Sequence, residues 1–287
     1  MLYEGALNMT TLLLSLQFDS NAILGAMASL LIGLSLGLIG GGGSILTVPV
    51  LVYLFSVDPI QATAYSLFIV GATSTIGAFP KYKQGQVNLK TALIFGAPSI
   101  VTVYATRKWI LPAIPSQLGQ WGELIITKSL LLMLLFALLM VAASFSMIRT
   151  QKPLGAHTIK PQSYNYPLIV GEGAVVGLLT GLVGAGGGFL IIPALVLLTG
   201  LPMKQAIGTS LVIIAAKSLI GFTGDLTEQT IDWVLLGFVT SIAVVGIIAG
   251  NQLSKKIDGN KLKKGFGWFV LVMGIYILVK EGWGAGH

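Results

Sequence analysis

The sequence predicts an all-α polytopic membrane protein, built as an inverted five-plus-five transmembrane repeat with two glycine-broken helical hairpins. Three observations carry this: composition, an internal duplication, and the placement of basic residues in the loops. The chain has 287 residues, 54% of them hydrophobic and 9% charged, with a mean hydropathy of +0.88. A soluble domain carries about 25% charged residues, so this chain has too little polar surface for water and belongs in the cell membrane. Its net charge of +7 then reports topology and not nucleic-acid binding, because Lys and Arg lie in short links between apolar spans. The absence of cysteine excludes disulfides, iron–sulfur clusters and thiol catalysis. Glu4 and the short run Leu12–Leu16 make a poor signal peptide.

The duplication centres on a glycine run. Gly37–Pro49 reads GLIGGGGSILTVP, and Gly181–Pro193 reads GLVGAGGGFLIIP, an offset of about 144 residues. The register continues, with Gln61 matching Gln205, Ala62 matching Ala206, Ser66 matching Ser210 and Gly77 matching Gly221.

In chain order, residues 1–20 form an N-terminal segment, 21–148 a first transmembrane repeat, 149–165 a polar cytoplasmic linker and 166–287 a second repeat. Residues 21–55 as one straight helix would run about 50 Å, against a hydrocarbon core of about 30 Å, so the segment must break, at Gly40–Ser44. Spans follow at 60–79, 88–108 and 123–148. The second half repeats the plan: 166–199 broken at Gly184–Gly188, then 204–222, 231–252 and 263–280.

Loop charge separates two topologies. If each broken segment crosses once, the protein has eight spans in a parallel four-plus-four arrangement. If it doubles back, each half has five segments of about 15 residues per hairpin arm, and the second half is inverted. The loop Lys81–Gln86 is basic and its counterpart Asp225–Thr230 is acidic. Equivalent loops of different Lys/Arg content belong on opposite sides. With the N-terminus outside, Lys81, Lys83, Arg149, Lys152, Lys160, Lys255, Lys256, Lys261, Lys263 and Lys264 all lie inside. Arg107 and Lys108 are the external exception.

Nucleotide-binding readings of the glycine runs fail. Ser44-Ile45 and Phe189-Leu190 stand where a P-loop needs Lys-Ser/Thr, and no soluble βαβ unit precedes either run. Gly33, Gly37, Gly177 and Gly181, spaced by four, read as close-packing positions between helices. The denser runs Gly41, Gly42, Gly43, Ser44 and Gly186, Gly187, Gly188 unwind a helix, which a membrane tolerates only where backbone is buried in protein or lines a cavity. Helices resuming after Gly43 and Gly187 present N–H groups and the positive end of the helix dipole, a ready anion site. Inversion would set the two sites face to face near the midplane. Pro49 and Pro193 shape the resuming helices.

The doubled Gly-Gly-Gly-x-hydrophobic-x-x-x-Pro pattern, each copy followed by Gln-Ala-x-x-x-Ser (Gln61–Ser66, Gln205–Ser210), resembles the TauE/SafE sulfite exporter family of membrane permeases. The similarity spans nearly the whole chain; Ala185 in place of a Gly41 equivalent is a minor departure. The resemblance implies export or uptake of sulfite, organosulfonates or related sulfur-containing anions by secondary transport, with export the preferred direction.

A polar stripe follows each motif. Gln61 and Tyr65, and Gln205 and Thr209, share helix faces four apart. Ser66 and Thr73 lie two turns apart, with Ser210 and Lys217 as counterparts. Such hydroxyls either contact substrate or bond the preceding turn. Lys217 reads as a counter-charge to the anion or as a lysine snorkelling to the interface. Glu172 carries a coupled proton or marks the first turn of its helix. Asp58 and Asp225 fall at loop edges and read as solvated. His157 and His287 make no metal site, and no cofactor is implied. An anion channel using the same paired helix ends is the alternative function; an intramembrane enzyme lacks a nucleophile and base. Oligomeric state is open.

Overall fold

The structure is a computed structural model that describes residues 20–121, 124–148, 165–227, 229–254 and 259–284. The N-terminal segment before Ser20, the linker at 149–164, His157 and His287 lie outside the described residues. The helices are α1 (Ser20–Ile39), α2 (Thr47–Tyr53), α3 (Pro59–Lys83), α4 (Leu89–Ala105), α5 (Lys128–Ile148), α6 (Tyr166–Val183), α7 (Gly188–Thr199), α8 (Met203–Thr223), α9 (Trp233–Leu253) and α10 (Gly259–Gly284). Among the described residues six helices are long and apolar enough to cross a membrane, and three apolar helices are shorter. Large apolar side chains such as Leu93, Val101, Leu138, Phe145 and Val272 are more than half exposed. In water so many exposed apolar groups would be an aggregation hazard; against lipid tails they are matched.

Two departures from the sequence expectation concern length. The span expected at 123–148 begins only at Lys128, because strands β1 (Gln117–Trp121) and β2 (Leu124–Thr127) form an antiparallel hairpin ahead of it. The hairpin arms are also unequal, not about 15 residues each. The outgoing helices α1 and α6 have 20 and 18 residues, and the returning helices α2 and α7 have 7 and 12. At 1.5 Å per residue the longer return helix covers about 18 Å, well short of a hydrocarbon core.

The first broken segment does turn back. Gly43 at its tip lies against Ser35 and Leu36 of α1, and Phe55 beyond α2 lies against Gly25 near the start of α1.

Helix starts are capped in matching ways. Asn88 accepts from Thr91 N at the head of α4, and Asp232 accepts from Val234 N and Leu235 N at the head of α9. Asp58 caps α3 through Ile60 N and Gln61 N, ahead of Pro59. Each cap satisfies N–H groups that a helix start leaves unpaired.

Packing crosses between the halves. The principal partners are α1 with α9, α4 with α6, α3 with α8 and α5 with α10. Glycine makes the first two seams: Gly33 meets Ala243 and Gly246, and Gly37 meets Ile247 and Gly250, so α1 and α9 run parallel. Gly173 meets Phe95, Gly177 meets Ser99 and Gly181 meets Thr106, so α6 and α4 run parallel too. The expected packing role of the four-spaced glycines is what these contacts describe. By contrast α3 and α8 run antiparallel, with Gly208 beside Lys81, Gly71 beside Leu219 and Gly221 beside Leu67.

The seams give a stability prediction. A side chain at Gly33 would strike the Ala243 carbonyl, whereas Gly237 on α9 has open space around it. Gly33→Leu is expected to cost at least about 1–3 kcal/mol by overpacking, visible as a lowered unfolding temperature in detergent. Gly237→Leu is expected to leave that temperature unchanged.

Candidate functional site

The two glycine breaks are built differently. After Ile39, Gly40 and Gly41 take φ of 71° and 102°, then a 3-10 turn (Gly42–Leu46) leads into α2. After Val183, Gly184, Gly186 and Gly187 take φ of 73°, 64° and 72°, and α7 starts directly at Gly188. These left-handed values suit glycine. Gly43 has no such φ; its lack of a side chain instead lets it pack on Ser35 and Leu36, where a Cβ would strike the Leu36 N. The first helix therefore resumes through a tight 3-10 turn, and α7 offers the fuller helix N-terminus.

The breaks touch one another. Gly41 and Gly188 meet backbone to backbone, and Gly186 abuts Ser44 and Val70. Two unwound segments thus cover each other inside the protein.

One face of α3 and one face of α8 line this contact. On α8, Ile207 abuts Gly40, Ser210 Oγ donates to Gly40 O at 3.1 Å, and Ile214 abuts Gly41. On α3, Thr63 abuts Gly184 and Val70 abuts Gly186. Ser66, three residues from Thr63 and four from Val70, shares that face, and Thr73 continues it. The Ser66 and Thr73 hydroxyls are fully buried without a hydrogen-bond partner. Buried polar groups are nearly always paired, so these two are exceptions on the face that meets the glycine contact.

Lys217 is fully buried, its Nζ donating to Thr180 Oγ1 at 2.9 Å and lying 2.8 Å from where a Gly187 Cβ would stand. This geometry is not that of a snorkelling lysine: the ammonium points into the second break. An ammonium has three donors, and one goes to Thr180.

The rest of the polar stripe holds loops. Tyr65 OH accepts from Asp232 N at 2.6 Å, and Gln61 Nε2 donates to Thr230 O at 3.3 Å. Thr209 Oγ1 accepts from Asn88 N at 2.9 Å. Tyr65 and Thr209, matched positions in the two halves, thus each hold the residue that caps a helix of the other half. Gln205 is half-buried in the first turn of α8, two residues from Ile207 and so on a different face. Ser44 Oγ closes its own turn on Gly41 O at 2.7 Å. Glu172 is half-buried on α6, away from either break.

Sequence reasoning missed Arg107 and misplaced Asp225. Asp225 is not solvated at a loop edge: it is 3% exposed and its Oδ1 lies 3.5 Å from Arg107 Nη1. Arg107 is 1% exposed and also donates from Nη1 to Thr63 Oγ1 at 3.0 Å. Burial pushes the Asp225 carboxyl pKa up, and the guanidinium opposes that. Arg107 sits in a π-helical turn (Thr106–Ile110) that continues α4, a distortion frequent at functional sites. The available signal was that Arg107 broke the sidedness rule for basic residues. Among the described residues no group of three His, Cys, Asp or Glu could hold a metal ion.

Residues 25–277 match the sulfite exporter TauE/SafE family. The chain belongs to that family. A "Probable membrane transporter protein" of Xylella fastidiosa is 30% identical over 86% of this chain and 91% of its own length. The Bacillus subtilis "Probable membrane transporter protein YunE" is 32% identical over 77% and 84%. A relative from Methanocaldococcus jannaschii with the same description is 26% identical over 87% and 92%. No solved structure matches significantly. This TauE/SafE protein is accordingly a multi-pass membrane protein whose relatives carry the names of transporters and not of enzymes.

Thr209→Val and Tyr65→Phe remove a hydroxyl from the loop bonds and nothing from the glycine contact. Each is expected to cost about 1 kcal/mol of stability, read as a lowered unfolding temperature of the purified protein.

Proposed function

We propose that this TauE/SafE protein is a secondary transporter of a small sulfur oxyanion of the sulfite or organosulfonate class, bound where the two glycine breaks meet. The observation that carries the site is Lys217: a buried ammonium with spare donors, beside the head of α7 and on the face of α8 that packs on the first break. A buried charge is costly unless paired, and a helix N-terminus favours an anion in the same place. Ser66 and Thr73 add hydroxyl donors from α3. The head of α7, which starts at Gly188, adds backbone N–H donors suited to an oxyanion, while Gly187 N already bonds Ala185 O at 2.6 Å. Gln61, Tyr65, Gln205 and Thr209 are left out of this site, and the Ser44 and Ser210 hydroxyls serve the loops of the first break. Export is the preferred direction, on family resemblance alone.

The inverted five-plus-five topology is part of the same proposal. It is supported by matched helices α3 and α8 packing antiparallel, since a parallel four-plus-four repeat would make counterpart helices run the same way. Inversion supplies two half-structures that exchange roles, which favours a transporter over a channel. In this reading Lys81 lies inside and Asp225 outside, and the returning helices α2 and α7 are re-entrant and not full spans. Cysteine introduced at Gln84 is expected to label from the cytoplasmic side and cysteine at Gln229 from the external side. Labelling of both from one side would overturn the inversion.

Lys217→Met keeps the apolar stem and removes the charge. It is expected to weaken sulfite binding about 10- to 150-fold, the loss of a charge-assisted bond of about 1.5–3 kcal/mol. Lys217→Arg is expected to rescue only in part, since a planar fork needs a different reach. Unchanged affinity in the Met variant, measured by titration of the purified protein, would remove Lys217 from the site.

A further inference from the structure

The buried Arg107 is used at only one of its nitrogens. Nη1 reaches Thr63 Oγ1 at 3.0 Å and Asp225 Oδ1 at 3.5 Å, while Nε and Nη2 are buried with no partner, as is Asp225 Oδ2. A charge-assisted N–H···O bond runs about 2.7–2.9 Å, and an engaged Arg–carboxylate pair is commonly bidentate. The Arg107–Asp225 pair is neither. A permanently charged guanidinium in this setting still has one whole planar edge to offer, the edge whose fork fits two oxygens of an oxyanion.

Its place in the fold is equally specific. Thr63, which holds Nη1, packs its backbone on Gly184, the first residue of the second break. The same face of α3 continues through the unpartnered hydroxyls of Ser66 and Thr73. Position 73 is the counterpart of Lys217 in the internal repeat. A buried cation therefore stands at the Asp225 end of a hydroxyl-bearing helix face, and a second buried cation stands beside the glycine contact. Arg107 lies in the π-helical turn at the end of α4, with its side chain buried.

We propose that Arg107 forms a second anion station beside the second glycine break, its Nε–Nη2 edge receiving two oxygens of the substrate oxyanion, with Asp225 a tethered competitor for the same guanidinium. An anion entering or leaving past this end is handed between Arg107 and Lys217 along the α3 hydroxyls. Asp225 holds the guanidinium in the anion's absence and keeps the station from trapping its guest. This rests on the sulfur-oxyanion reading above.

The test is sulfite titration of the purified full-length protein, followed by calorimetry, alongside its unfolding temperature. Asp225→Asn removes the competing charge at constant shape and is expected to tighten sulfite binding about tenfold. Arg107→Lys keeps an ion pair with Asp225 but loses the planar edge, and is expected to weaken binding about tenfold while the protein stays folded. In the Asp225→Asn/Lys217→Met variant the outer station is expected to bind sulfite alone, and adding Arg107→Lys is expected to abolish that. If Lys217→Met weakens binding but Arg107→Lys and Asp225→Asn bind as the unaltered protein does, the pair is structural and the station is overturned while the central site stands. If Asp225→Asn does not fold, an unchanged affinity in Arg107→Lys is enough to overturn it. If the unaltered protein binds no sulfite, the sulfur-oxyanion reading fails and the station falls with it.

Discussion

The constraint on which this structure turns is that backbone in a membrane must find its partners inside the protein. Breaking a helix there frees N–H and C=O groups that no lipid can satisfy. This chain breaks two helices and lays one break on the other, with Gly41 against Gly188 and Gly186 against Ser44. The glycines serve this in two distinct ways. Gly40, Gly41, Gly184, Gly186 and Gly187 supply left-handed turns, whereas Gly43, Gly188 and the seam glycines of α1 and α6 supply thinness. Helices α3 and α8 then close around the contact and bring in the hydroxyls and the ammonium.

Charge follows the same logic. Lys217 and Arg107 are among the largest fully buried side chains in the protein, and each has donors left over after its neighbours are counted. Hydrocarbon makes such charges expensive, and in the proposed function a guest of opposite sign lowers that cost. Two buried cations, a helix N-terminus and unpaired hydroxyls gather around the second glycine break. In the proposed reading, that grouping, more than any one residue, is what would select an anion.

Much of the fold was legible because membrane helices announce themselves by apolar length, and because the duplication made each half a check on the other. The breaks were legible too, as Gly40–Ser44 and Gly184–Gly188 interrupt runs with no other reason to stop. Arm length was not: nothing in the apolar run from Asn21 to Phe55 says that one arm takes 20 residues and the other 7. The hairpin at Gln117–Thr127 was hidden because Leu124, Ile125 and Ile126 serve a strand or a span equally well. The intramembrane burial of Lys217 was legible from its isolation in an apolar run. Tyr65 and Thr209 were not separable from Ser66 by spacing, because which face of α3 meets the breaks and which meets a loop depends on the rotation of the packed helix. Asp225 was misread for a related reason: a carboxyl at a helix end looks solvated until its partner arrives from another helix.

The seams joining α1 to α9 and α6 to α4 have a mechanical consequence. Each glycine-lined seam locks a helix of one half to a helix of the other, and the Tyr65–Asp232 and Thr209–Asn88 bonds stitch across the same divide. The pieces of the machine are therefore not the two halves of the chain. A rocking motion that keeps these seams intact carries α1 with α9, and α6 with α4, as single bodies drawn from both halves. The line where the sequence repeats is therefore not a line along which the folded protein divides.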